Sequence, residues 1–240
     1  MRGSLVFVNE SPCSGPTGRH GPSPAGAERL ESAGRQRYTQ QADNAVSNDF
    51  RETQRRSVRA RIGLFWGSNE GNTESAGYRI KESFDRHEPD VVQVFNIANT
   101  TIEDVAAWDN IIFGISTWDI GQLQDDWDIF LPRMDELDLT GKKVAIYGLG
   151  DQYGYPDTYI DAVGVLADKV LELGGELYGL WPAAGYQVSG SRALVEDHFL
   201  GLALDNDNEA DKTQARIDEW VDQLAFAWGI GQEAPAIAAP

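Results

Sequence analysis

A short apolar run, a polar loop and a helical pattern follow one another from residue 61, and this succession constrains the fold most strongly. Residues 62–66 are continuously apolar, which is typical of a short strand buried on both faces. Residues 67–73 are polar, and a helix is predicted over 72–86, with apolar side chains at Ala76, Ile80 and Phe84. A loop with hydroxyls and glycines before a helix N-terminus presents backbone N–H groups to an anion. The stretch therefore predicts a phosphate site.

The same alternation of apolar runs and helical patterns continues to residue 228. Further strands are predicted at 91–95, 110–115, 144–147 and 176–181, with a second strand segment at 201–204. Helices are predicted at 102–107, 125–131, 156–173 and 212–227, and residues 182–200 are expected to be irregular. Strands that alternate with helices favour a parallel sheet covered by helices on both faces.

Composition divides the chain near residue 60. Residues 1–60 hold few large apolar side chains and are rich in Gly, Ser, Pro and Arg, so they are predicted to form a disordered N-terminal extension. Residues 61–230 are predicted to be one domain, and residues 231–240 a flexible C-terminal tail. The Arg-rich extension leaves two hypotheses open, an organelle transit peptide (as for a plastid) or a segment that is not translated, with the true start near Val58.

The charge and the cysteine content limit which partners and which cellular compartment the protein is expected to have. Residues 1–60 carry nine Arg and six acidic residues, whereas residues 61–240 carry eleven basic and thirty-two acidic residues. Such a negative field repels nucleic acid and anionic membranes and attracts basic proteins, although solubility alone is an alternative explanation. Cys13 is the only cysteine, and no run approaches the roughly 18–20 apolar residues of a membrane span. We expect a cytoplasmic protein, or an organellar one if the extension is a transit peptide.

Three polar loops, at 67–73, 116–122 and 148–155, follow three of the predicted strands. In a doubly wound sheet such loops meet at the carboxyl edge, where ligands bind at the point at which the strand order reverses. The second loop offers Trp118 and the third offers Tyr155, two flat surfaces that can enclose a heteroaromatic ring. The loops together predict a site for a phosphorylated aromatic cofactor.

Several motifs resemble those of long-chain flavodoxins, over about residues 61–228. Gly67-Ser-Asn-Glu-Gly-Asn-Thr73 is similar to the phosphate loop of that family. The segment Ser116 to Trp127 resembles its first ring loop, and Gly148 to Tyr155 resembles its second. Trp181-Pro182 and Gly201-Leu-Ala-Leu-Asp205 resemble the insertion that splits the last strand. The resemblance implies a flavodoxin-like, doubly wound, five-stranded parallel sheet of order 2-1-3-4-5, a geometry for which flavodoxin is itself a standard example.

The resemblance also implies the residues that bind the cofactor, FMN. Trp118 would cover the inner face of the flavin ring and Tyr155 its outer face. The phosphate loop would contribute Ser68, Asn69, Glu70, Gly71, Asn72 and Thr73, and the ring loops Ser116, Thr117, Asp119, Ile120, Gly121, Gly148, Gly150, Asp151 and Asp157. Glu70 departs from the family, which usually has Thr or another small polar residue there, and we expect its charge to weaken FMN binding.

The implied function is that of a low-potential one-electron carrier rather than an enzyme. Its partners would be basic redox proteins, such as a ferredoxin/flavodoxin–NADP reductase and an acceptor enzyme, and it would act as a monomer. The alternative is an FMN-dependent quinone or NAD(P)H oxidoreductase on the same fold. A phospho-receiver domain would need an acidic cluster at residues 66–68 and an Asp at the end of the third strand, where Ser116 and Thr117 stand, and the sequence has neither. No catalytic residue and no metal ligand is predicted.

Overall fold

The computed structural model describes residues 61–232. The predicted N-terminal extension and residues 233–240 of the predicted C-terminal tail lie outside the described residues. In chain order the elements are β1 (Ile62–Trp66), α1 (Asn72–Asp85), β2 (Val92–Asn96), α2 (Ile102–Ala106), β3 (Asn110–Trp118), β4 (Gln122–Leu123), α3 (Asp125–Phe130), β5 (Lys143–Leu149), α4 (Asp161–Glu172), β6 (Glu176–Tyr178), β7 (Trp181–Pro182), β8 (Leu194–Val195), β9 (His198–Phe199), β10 (Leu202–Leu204) and α5 (Thr213–Trp228).

The main sheet has the strand order β10-β5-β3-β1-β2, and these neighbours are parallel. The last position is shared by two short strands. β6 pairs with the first half of β5, where Lys143 lies opposite Glu176, and β10 pairs with its second half, where Tyr147 lies opposite Leu202. The predicted order 2-1-3-4-5 is confirmed, with the fifth strand in two pieces.

Helices cover both faces of this sheet. Because successive residues of a strand point to opposite sides, adjacent residues of β5 contact helices on different faces. On one face of β5, Tyr147 packs against Gly77 of α1. A Cβ added at Gly77 would lie only 2.7 Å from the Tyr147 hydroxyl oxygen. On the other face, a Cβ on Gly148 would come within 2.2 Å of Val163 of α4. All five residues of β1 are buried, as the continuous apolar run predicts.

Two predicted boundaries at the carboxyl side of strands are wrong. Segment 116–122 is a β-hairpin rather than a loop, because β3 continues to Trp118 and pairs antiparallel with β4. Its turn has Asp119 at φ 44° and Gly121 at φ 101°, and the Gly121 N–H donates to the Trp118 carbonyl at 3.1 Å. These two left-handed residues let the strand reverse within the polar segment.

The predicted strand at 176–181 is also interrupted. It ends at Tyr178, since Gly179 adopts a φ of 74° and packs against Trp220 of α5. Trp181 then belongs to a small antiparallel sheet of order β7-β9-β8. The segment 182–200 therefore contains strands of its own and is not wholly irregular.

The helix predicted to open at Pro156 begins five residues later, at Asp161. Successive turns occupy the intervening chain, with the Thr158 N–H bonded to the Tyr155 carbonyl and the Asp161 N–H bonded to the Thr158 carbonyl. The helix ends as predicted before Gly174, which has a φ of 83°. Between residues 61 and 232, no helix combines the length and the apolar character that crossing a membrane requires.

Candidate functional site

The three predicted loops meet around one open cavity of about 300 Å³. It lies beyond the carboxyl ends of β1, β3 and β5. The predicted residues that line it are Ser68, Asn69, Glu70, Asn72, Thr73, Ser116, Thr117, Trp118, Asp119, Gly150, Asp151 and Tyr155. Five predicted site residues do not line it, namely Gly71, Ile120, Gly121, Gly148 and Asp157.

Unpartnered hydrogen-bond donors gather where α1 begins. The helix starts after Gly71, at φ 84°, without a side-chain cap, and no acceptor within residues 61–232 bonds the backbone N–H groups of residues 72–74. Thr73 is only 1% exposed, and its hydroxyl likewise has no partner in the described part of the chain. The Gly71 N–H instead donates to the Ser68 hydroxyl at 2.8 Å and closes the turn. Free N–H groups at a helix N-terminus and a buried free hydroxyl suit an anionic ligand.

The hairpin of β3 and β4 holds Trp118 beside the cavity. The Trp118 indole N–H donates to the Ser116 hydroxyl at 3.0 Å, which fixes the ring plane. The Thr117 hydroxyl accepts the Ala162 N–H at 3.1 Å and so ties the hairpin to the first turn of α4. Ile120 lies at the tip of the hairpin, outside the cavity, and is 75% exposed. The hairpin thus presents one partly buried aromatic ring and one exposed apolar side chain.

The loop after β5 is folded around the carboxylate of Asp151. One oxygen of this carboxylate accepts the N–H groups of Tyr153 and Gly154 and a side-chain amide hydrogen of Asn208. The bond from Gly154 is the main reason that the pKa of Asp151 lies below its ordinary value. Its carboxylate is therefore engaged within the protein. Tyr155, 45% exposed, lines the cavity from the same loop.

Two groups of lining residues were not predicted from the sequence. One consists of Leu149 and the turn residues Thr158, Tyr159 and Ile160, which are mostly apolar and carry no signal of a binding role. The other is Asn206 and Asp207, which follow β10. Because β10 is parallel to β5, the rule that placed the three loops at the carboxyl edge could have found this fourth segment.

The electrostatic character of the cavity is negative. Four carboxylates line it, those of Glu70, Asp119, Asp151 and Asp207, and no Lys or Arg is among the described lining residues. The pKa of Asp207 lies above its ordinary value, mainly through desolvation and also through repulsion from Asp205 and from lining carboxylates. An anion in this cavity would have to be held by backbone N–H groups, hydroxyls and amides rather than by a cation.

The fold and the cavity together define a doubly wound α/β protein with a binding site at the carboxyl edge of its sheet. The flavodoxin family model matches residues 64–220. The flavodoxin of Trichodesmium erythraeum is 45% identical over 172 residues, which cover 71% of this chain and 99% of that protein. The flavodoxin of Picosynechococcus sp. is 43% identical over 171 residues, again 71% of this chain and 99% of that protein.

A solved structure agrees with these relatives. The flavodoxin of Fusobacterium nucleatum bound to flavin mononucleotide superposes with a TM-score of 0.65 at 26% identity, and the match covers 69% of this chain and 97% of that one. The chain belongs to the flavodoxin family.

Proposed function

We propose that this flavodoxin carries single electrons at low potential on one bound FMN, between a reductase and acceptor enzymes. Flavodoxins are FMN-containing electron-transfer proteins rather than enzymes, and this chain is one of them. The flavin supplies the redox chemistry when bound, and the protein binds, orients and tunes it. The observation that carries the proposal is the cavity, which combines free anion-binding donors at one end with two aromatic side chains from separate loops.

The residues present fit the phosphate of FMN. The uncapped start of α1 and the buried, unpartnered hydroxyl of Thr73 supply donors without any competing acceptor in the described chain. The hydroxyl of Ser68, which accepts from Gly71, still has its own hydrogen to donate. Neutral donors of this kind hold a phosphate dianion without neutralising it.

The negative surroundings support a low reduction potential. Glu70, Asp119, Asp151 and Asp207 line the cavity without a compensating lysine or arginine from the described residues. Each electron added to a ligand here increases like-charge repulsion, and such repulsion is stronger in a partly desolvated site than in water. We infer that the reduced cofactor is disfavoured relative to FMN in solution.

The partners that fit this surface are basic redox proteins. Residues 61–240 carry thirty-two acidic and eleven basic residues, so long-range attraction should steer a basic reductase or acceptor toward the protein. We propose that it acts as a monomer. Electron-transfer rates to a ferredoxin/flavodoxin–NADP reductase should fall as ionic strength rises, because salt screens exposed charges over about 10 Å at 0.1 M.

The ring site can be tested with three matched aromatic substitutions. Trp118→Ala and Tyr155→Ala should each raise the Kd of FMN by about tenfold or more, since each removes buried area and a stacking contribution of about 0.5–1.5 kcal/mol. Tyr153→Ala is the control, because Tyr153 lies in the same loop, is 59% exposed and does not line the cavity. Quenching of flavin fluorescence gives each Kd. Equal effects of all three substitutions would defeat the proposed ring site.

The redox role needs a separate measurement. Stepwise reduction of the FMN-loaded protein, followed by visible absorption, should show two one-electron steps, with the second at a lower potential than for free FMN. A protein that binds no FMN, or whose bound flavin takes both electrons in one step at the potential of free FMN, would overturn the proposal.

A further inference from the structure

Gln124 is a fully buried polar residue (0% exposed) that joins the end of the first ring loop to the phosphate loop. Its side-chain oxygen accepts the Trp127 N–H at 3.3 Å and caps α3. Its amide nitrogen donates to the side-chain oxygen of Asn69 at 2.7 Å and to the carboxylate of Asp126 at 2.8 Å. Gln124 does not line the cavity, whereas Asn69 does.

These contacts determine which way both amides point. A carboxylate only accepts and a backbone N–H only donates, so Asp126 and Trp127 together fix the amide orientation of Gln124. Gln124 then requires the side-chain oxygen of Asn69 to be the acceptor. The Asn69 amide nitrogen completes the chain by donating to Asp125 at 3.2 Å. One of its two hydrogens is engaged in this way, and the second is available to an anion.

The Gln124 side chain is tightly packed between Gly67 and Trp127. A Cβ on Gly67 would lie 2.2 Å from the side-chain oxygen of Gln124 and 2.6 Å from the Trp127 ring. The Trp127 indole N–H and the Gly67 N–H both donate to the Gly114 carbonyl, at 2.8 Å and 3.1 Å. Gln124 therefore has little room to adopt another rotamer, and it is well placed to hold Asn69 in one orientation.

We propose that Gln124 is a positioning residue that acts through Asn69 and makes the site favour phosphorylated over unphosphorylated flavin. The proposal rests on the FMN-binding function above. Without Gln124 the Asn69 oxygen loses its donor, and only the longer bond from its nitrogen to Asp125 opposes rotation of the amide. The oxygen can then turn toward the phosphate, which repels it. The ring contacts of Trp118 and Tyr155 lie on other elements, so the affinity for riboflavin, which has no phosphate, should not change.

The test compares the affinities for FMN and riboflavin in a matched pair of variants. Gln124→Met keeps the size of the side chain but removes its amide, and with it the bonds to Asn69 and Asp126 and the cap on the Trp127 N–H. It should raise the Kd of FMN by about tenfold, as expected when the buried hydrogen bond to Asn69 is lost. The Kd of riboflavin should stay within about twofold of wild type. Gln122→Met is the control, because Gln122 is an exposed residue of the same hairpin; both constants should keep their wild-type values.

A second background shows whether Gln124 works through Asn69. In the Asn69→Ala protein, Gln124→Met should cause no further rise in the Kd of FMN, because interacting residues are non-additive. If Gln124→Met does not fold, Asp126→Asn carries the test, since an amide oxygen is a weaker acceptor than a carboxylate and holds the Gln124 amide nitrogen less firmly. This variant should raise the Kd of FMN about threefold and leave that of riboflavin unchanged.

Three results would overturn the inference. They are a parallel loss of FMN and riboflavin affinity, an undiminished effect of Gln124→Met in the Asn69→Ala background, and an unchanged FMN preference in both the Gln124 and the Asp126 variants. These results leave the proposed function intact, because wild-type FMN binding is measured in the same experiment. A wild-type protein that binds no FMN would overturn both.

Discussion

The Tyr147 hydroxyl donates to the Thr73 carbonyl at 2.9 Å, which connects the middle of β5 to the first turn of α1. The tyrosine is fully buried, and its ring occupies the space left by two glycines. A Cβ on Gly114 would lie 2.1 Å from the ring and one on Gly77 would lie 2.7 Å from the hydroxyl. The start of α1, which carries the proposed phosphate donors, is thus held from inside the core.

Removal of this hydroxyl should weaken the protein modestly. Tyr147→Phe loses one buried hydrogen bond and should lower the free energy of unfolding by about 1 kcal/mol. Gly114→Ala should cost more, about 1–3 kcal/mol, because the ring must move to admit a methyl group. Urea unfolding of the apoprotein measures both. Tyr178→Phe is the control, since its hydroxyl bonds the exposed side chain of Glu176; a loss as large as that of Tyr147→Phe would contradict the interpretation.

Arg216 and Glu209 form an ion pair in which the two side chains are only 12% and 10% exposed. The guanidinium also lies 4.4 Å from the centre of the Tyr186 ring. Arg216→Met should lower the free energy of unfolding by about 3 kcal/mol, because it leaves a largely buried carboxylate with one partner fewer. Arg192→Met, which removes an exposed pair with Asp168, should cost less than about 1 kcal/mol. Similar decreases in the free energy of unfolding in the two variants would show that burial of the Arg216–Glu209 pair adds nothing to its contribution to stability.

Glu209 also makes the stability of the protein depend on pH in the acid range. Hydrogen bonds from Lys212 and then from Arg216 outweigh desolvation and lower the pKa of Glu209 from 4.5 to about 2. A carboxyl group whose folded pKa is depressed stabilises the protein above its unfolded pKa, and this stabilisation disappears as the pH falls through the folded value.

The free energy of unfolding should therefore fall between pH 4.5 and pH 2 by an amount that depends on Glu209. Glu209→Gln should be less stable than wild type at pH 7 and should lose less stability over that acid range. Denaturant titrations at pH 7, 4 and 3 measure this dependence. Glu82→Gln, an exposed position on α1, should retain the wild-type profile. A Glu209→Gln profile parallel to that of wild type would contradict the assignment.

The sequence predicted the sheet because its strands are apolar on both faces and its helices are amphipathic, as at β1 and α1. It did not predict the ends of elements where single residues with positive φ turn the chain. Asp119 and Gly121 convert the predicted loop into a hairpin, and Gly179 ends β6 before Trp181. Such turns depend on tertiary contacts, for example of Gly179 with Trp220, which local patterns do not contain.

The cavity was predictable to the extent that its residues are polar or aromatic and follow strands. Tyr159 and Ile160 line it as apolar parts of a turn, where the sequence suggested a helix. Gln124 is a glutamine with no distinguishing pattern, and only its burial and its bond to Asn69 separate it from Gln122 on the surface. This hydrogen bond links two residues that are 55 positions apart in the sequence, so it becomes visible only in the folded structure.

Glu70 lies in the proposed phosphate loop, residues 67–73, and it is exposed at the rim of the cavity. Its charge reaches across the cavity, since it contributes to the raised pKa of Asp207. A carboxylate beside a phosphate dianion repels it, and two charges about 4 Å apart in water interact by about 1 kcal/mol. Glu70→Thr should therefore lower the Kd of FMN by about fivefold or more.

Glu70→Gln removes the charge without adding the hydroxyl that Thr introduces, so it separates the two effects. It should give part of the gain, and the difference from wild type should shrink at high salt, where exposed charges are screened over about 3 Å at 1 M. The Kd of riboflavin, which lacks the phosphate, should be the same for all three proteins. Fluorescence titrations at low and high salt measure these constants. If Glu70→Thr left the Kd of FMN unchanged or raised it, repulsion between the Glu70 carboxylate and the phosphate would not weaken binding, and this explanation would be wrong.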